Sequence, residues 1–96
     1  MKRESVDVLW TKHKKYCVLR VKKATFKQTW ANSIYKYQVS VYKKKEVSDG
    51  VWSETKKMIW SSSWKREGDF NEALHTGIAK ANEYNARQTA IKQQNK

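Results

Sequence analysis

The chain contains no proline and only three glycines, Gly50, Gly68 and Gly77. Without proline, no rigid ring sets its turns or stops its helices, so turns must come from glycine and from short polar residues. Cys17 is the single cysteine. That excludes an internal disulfide and any zinc site needing two or four cysteines. Lying beside Val18 and Leu19, Cys17 reads as a buried structural thiol rather than a nucleophile. No run approaches the roughly 20 apolar residues that span a bilayer. The opening stretch, MKRESVDVLW, has a basic start but no apolar segment of the signal-peptide kind. These absences set the expected location as a reducing cytoplasm, with no membrane partner.

Acids are also scarce: 9 against 21 Lys and Arg, a net charge of +12 over 96 residues. Such a balance makes a polyanion the default partner class, with a solubilising coat as the plain alternative. The bases are 17 Lys and 4 Arg. Arginine is the usual residue for bidentate base and phosphate contacts, so lysine points to backbone attraction more than to sequence readout. What is abundant is aromatic: five Trp, five Tyr and two Phe. They supply much of the apolar area for one modest core in one domain, residues 1–96.

Asp49-Gly50 lies between alternating runs and is a hairpin signal, because both central residues of a type I′ turn need positive φ. Pairing outward places Ser48 opposite Val51, Val47 opposite Trp52, Val41 opposite Met58, Val39 opposite Trp60, Tyr37 opposite Ser62, and Tyr35 opposite Trp64. In this register MIWSSSWK, residues 58–65, is a strand with Trp60 and Trp64 facing the core and Ser62 as a spacer. An earlier hairpin would pair Trp10 with Cys17, Val8 with Leu19 and Val6 with Val21. Residues 23–33, KATFKQTWANS, fit either a helical turn, with Phe26 and Trp30 four apart, or a fraying strand. From Asp69 the period changes. Phe70, Ala73, Leu74, Gly77, Ile78, Ala81 and Tyr84 follow helical spacing, and Asp69 with Glu72 resembles a capping box.

The expected architecture is therefore α+β: a four-stranded antiparallel sheet of two hairpins, covered on one face by a C-terminal helix. Strands are expected at about 5–12, 15–23, 34–47 and 51–65, a helix at about 69–88, and a polar tail at 89–96. The order of four strands and a helix resembles that of the Whirly family of single-strand DNA binders. In its last elements it is also similar to the plant ethylene-response type of sheet-reading domain. Both likenesses are of element order, with no family motif matched.

The uncovered face is expected to carry Arg20, Lys22, Lys36, Lys44, Lys57 and Lys65, with Tyr16 and Tyr42 among them and Val18, Leu9 and Ile59 making it partly apolar. Basic side chains can hold phosphates while rings stack on bases. These eight basic and tyrosine residues are the candidate nucleic-acid site, and the stacking rings favour single strands or RNA over duplex. The alternative is a small protein of the phage or mobile-element kind that binds and modulates an acidic host protein. Its anchors would be Phe26, Trp30 and Trp52, and homodimerisation through an edge strand or the Val18–Ile59 face belongs to the same class. An enzyme is not expected: His13 and His75 show no converging partner, and no metal cluster, phosphate loop or nucleophile motif is present. No cofactor is implied.

Overall fold

The computed structural model describes residues 2–29 and 32–94. Its strands are β1 (Lys2–His13), β2 (Cys17–Thr29), β3 (Asn32–Ser48) and β4 (Val51–Ser61). They form one antiparallel sheet in the order β1-β2-β3-β4, as expected. A 3-10 turn, Glu67–Asp69, leads into helix α1 (Phe70–Gln94), which packs on β2, β3 and β4.

Residues 23–29 and 32–33 belong to strands: β2 runs through Thr29 and β3 starts at Asn32. Trp30 lies outside the described residues. The helix reaches Gln94, well past the expected end at 88. Ala90, Ile91, Lys92 and two glutamines are adequate helix formers, and no proline or glycine stops them. Asp69 donates its backbone N–H to Arg66 O at 3.0 Å in the entering 3-10 turn.

The core lies between the sheet and the helix. Cys17, Leu19 and Val21 of β2 alternate onto one face beside Val39 and Val41 of β3, under Ala73 and Ala81. Ile59, Trp60, Phe70, Leu74 and Tyr84 pack around them. The small-residue stripe of α1 permits this closeness. A Cβ at Gly77 would collide with Val39 Cγ1 and would sit 3.2 Å from Trp60 Cζ3. Ile78 turns partly outward instead of joining the core. The Cys17 thiol points at Ala81 O, 3.5 Å away, and is buried. Burial raises its pKa, opposed in part by Lys14 and Lys44.

A tight turn forms at Asp49-Gly50, with Ser48 opposite Val51 and Gly50 at φ 75°, but Asp49 does not take a positive φ, so it is not the type I′ turn expected. Away from it, the register differs. Val41 faces Trp60, Tyr42 faces Met58 and Lys44 faces Glu54, with irregularities between these pairs. Such bulges add residues to β4, so Ile59 comes to the helix side and joins the core periphery rather than the open face. Glu46, not Val47, stands opposite Trp52. In β1, Trp10 pairs with Val21, and a bulge at Leu9 then sets Val8 opposite Lys22 and Val6 opposite Ala24. The partners lie four residues beyond the expected one at Trp10 and three beyond at Val8 and Val6; the turn itself is closed by Lys14 N–H donating to Cys17 O at 2.9 Å.

The three serines do more than fill space. Regular pairing of β4 stops at Ser61. Ser62 N–H donates to Val39 O at 2.9 Å, and Val39 N–H donates to Ser62 Oγ at 3.0 Å. The Ser62 hydroxyl passes its own proton to Ser63 O at 2.8 Å. A serine side chain thus stands where a strand carbonyl would, and it meets a buried backbone donor as the chain leaves the sheet. Trp64 then packs edge-on to Phe26, with centroids 5.5 Å apart, instead of lying beside Trp60.

Candidate nucleic-acid interface

Side-chain alternation puts Val18, Arg20, Lys22, Ala24 and Phe26 of β2 on the face opposite the helix. From β3 come Lys36, Gln38, Ser40, Tyr42 and Lys44. Five of the proposed site residues, Arg20, Lys22, Lys36, Tyr42 and Lys44, therefore share one face.

No helix or strand among the described residues covers this face, yet Val18, Ala24 and Ser40 on it are at most 1% exposed. Their long neighbours engage one another and the rings beside them. The Lys22 ammonium donates to Tyr42 OH and sits 4.9 Å from that ring's centroid. Arg20 lies 5.5 Å from the same centroid and is bonded to Glu54 at 2.7 Å. The Lys36 ammonium is 5.2 Å from the Phe26 ring. Aliphatic stems of Lys and Arg can shield apolar surface while their charged heads stay wet. Burial by itself raises the Tyr42 pKa, but hydrogen bonds with Lys22 and Ser40 and the charges of Lys22 and Arg20 outweigh it. The net result lies below the ordinary tyrosine value.

Three of the remaining site residues are elsewhere. Tyr16 is 4% exposed, its ring edge-on to Trp52 with centroids 4.8 Å apart. Its N–H donates to Asn85 Oδ1 of the helix at 3.1 Å. It is a tie between turn and helix and offers no open ring. Lys65 bridges to Tyr37, a residue of the helix-covered face, with both backbone bonds at 2.7 Å. It lines an open groove of about 500 Å³ with Trp60, Ser62, Asp69, Glu72 and Thr76. Lys57 is exposed on the irregular part of β4, where its N–H donates to Thr55 Oγ1 at 3.2 Å. Of the expected protein-binding anchors, Phe26 packs on Trp64, and Trp52 packs on Tyr16 with the Lys92 ammonium 5.3 Å from its ring. Both are used internally.

The register also assembles a feature that reading along the chain missed. Cys17 stands opposite Lys43, and Lys44 N–H donates to Tyr16 O at 2.9 Å. The Lys44 ammonium donates to Lys14 O at 2.7 Å, and Thr55 Oγ1 donates to Lys43 O at 2.7 Å. These bonds gather three lysine runs at one end of the sheet: Lys12, Lys14 and Lys15 at the first turn; Lys43, Lys44 and Lys45 in β3; Lys56 and Lys57 in β4. All but Lys14 and Lys44 are exposed. Among nearby acids, Glu54 is held by Arg20, with His13 Nε2 3.5 Å from the same oxygen, and Glu46 accepts the Gly50 N–H at 3.3 Å. The runs themselves were visible in the sequence. What was not visible was the pairing that brings them together.

Among the described residues, no group of three or more His, Cys, Asp or Glu is placed to hold a metal, and no helix is long and apolar enough to cross a membrane. Comparison with protein-family models, curated proteins and solved structures finds no match.

Proposed function

We propose that this chain is a small, non-enzymatic nucleic-acid-binding module whose contact surface is the lysine-rich end of the sheet, continued by the cationic side chains of the open face. One observation carries the reading: three lysine runs distant in sequence meet at one end, while Glu54, the acid opposite Lys44, is engaged by Arg20. A phosphate chain laid there would release counterions from several lysines at once, the main source of sequence-independent affinity. A scattered coat would spread its charge more evenly.

The test is an anisotropy titration with labelled nucleic acid. It compares the wild type with Lys12→Gln/Lys45→Gln/Lys56→Gln at the sheet end and with Lys22→Gln/Lys36→Gln on the open face. The end variant is expected to bind at least tenfold more weakly, and the face variant to lose less. No binding by the wild type at low salt would discard the reading. The protein-partner alternative would then stand on β1, where Val6, Val8, Leu9 and Trp10 are exposed.

A further inference from the structure

We infer that this interface takes double-stranded nucleic acid by its phosphates, neither stacking on bases nor reading them; the inference rests on the nucleic-acid reading above. Preference for single strands comes mainly from rings on which unpaired bases stack. Apart from Trp10, the rings around the lysine end are already occupied. Tyr16 and Trp52 pack on each other, and Tyr42 lies beneath Lys22 and Arg20. Farther along the sheet, Phe26 has Lys36 over it, and Tyr35, though 55% exposed, has the Lys23 ammonium 4.1 Å from its centroid. Trp10, two residues from Lys12 in β1, is a half-exposed ring.

A site made of charges follows charge density, and a duplex carries one phosphate per about 1.7 Å of axis, twice the density of either strand. The geometry suits two strands. The lysine runs belong to the β1 turn, β3 and β4, so they spread over about three inter-strand steps, about 14 Å. That slightly exceeds the width of the duplex major groove, about 12 Å, so lysines at its two edges can reach phosphates of both strands. The three runs contain no arginine. Base edges are usually read by Arg, Asn or Gln in bidentate contact, whereas lysine acts on phosphate as a point charge.

The experiment titrates the whole chain with a labelled duplex, each of its separated strands, a duplex of scrambled sequence, and phosphatidylglycerol vesicles, at about 50 and about 200 mM salt. The expected result is duplex binding at least tenfold tighter than either strand, equal for the scrambled duplex. It should weaken roughly a thousandfold between the two salts, as about six phosphate contacts require. Lys12→Gln/Lys45→Gln/Lys56→Gln, at exposed positions that leave the core untouched, should flatten that salt dependence. Trp10→Ala should leave duplex affinity unchanged. A single strand bound as tightly as the duplex or tighter, with Trp10→Ala weakening it, would overturn the duplex inference and leave the nucleic-acid reading intact. Vesicle binding stronger than duplex binding, or no binding of any nucleic acid at the lower salt, would overturn both.

Discussion

The two faces of this sheet are both sealed, but by different means. On one, helix α1 lies so close that Gly77 has no room for a side chain above Val39. On the other, Val18, Ala24 and Ser40 are equally buried with no second helix, on a face that carries Arg20, Lys22, Lys36 and Tyr42 and the Phe26–Trp64 ring pair. A domain of this size has one layer of helix to spend on one face. The opposite face has only side chains to close it, and the methylene stems of its cations are suited to that. A basic sheet face can therefore be structural and electrostatic at once, and a count of its lysines overstates those at liberty to bind.

The comparison can be broken most severely from the helix side. Leu19→Ala removes a fully buried side chain from the centre of the core and should cost about 2–5 kcal/mol in urea unfolding. Gly77→Ala should destabilise by about 1–2 kcal/mol: the gain in helix propensity of about 1 kcal/mol is outweighed by overpacking against Val39. An unchanged or raised midpoint would show that the helix can lift off without loss. Ser62→Ala leaves the Val39 N–H without its acceptor and should cost about 1–3 kcal/mol, whereas Ser63→Ala, at an exposed position, should be nearly neutral.

The open face gives smaller effects and a sharper distinction. Lys22→Ala/Lys36→Ala should lower stability by roughly 1 kcal/mol, and Lys22→Met/Lys36→Met should restore most of it, because methionine keeps the apolar stem and loses the charge. If both pairs behave alike, the stems are not the cover. The smallest effect is on Cys17. Its thiol pKa is raised in the folded protein by burial, so above the ordinary thiol range the folded state holds a proton that the unfolded state has lost. Stability should fall as pH rises through and beyond that range, and Cys17→Ala should remove this slope.

The parts of the fold that were legible follow from repeated, local signals. Asp49-Gly50 marked a tight turn, and Gly50 takes a positive φ there, although Asp49 does not and the turn is not of type I′. The helical spacing from Phe70 to Tyr84 identified the packing face, including the close approach at Gly77. The sorting of Cys17, Leu19, Val21, Val39 and Val41 to one side was likewise plain from alternation. Register was not. A bulge at Leu9 and irregularities in β4 each reverse which side the following residues face, and nothing in the local residue types announces them. That is why Ile59 and Lys65 were expected on the wrong face and Trp64 in the core. Tyr16 is a different case. Alternation alone sends it outward, but Asn85 and Trp52, far away in sequence, claim its backbone and ring.

The candidate site divides the same way. The sequence by itself determined the charge of +12 and the preponderance of lysine, through composition, and the α+β layout, through short-range periodicity. Only the tertiary structure decided that the lysines at 12–15, 43–45 and 56–57 share one end of the sheet, and that most of the rings meant for stacking are already in use. Those outcomes depend on which strand lies opposite which, and pairing between distant segments is set by how bulges, turns and the covering helix fit together.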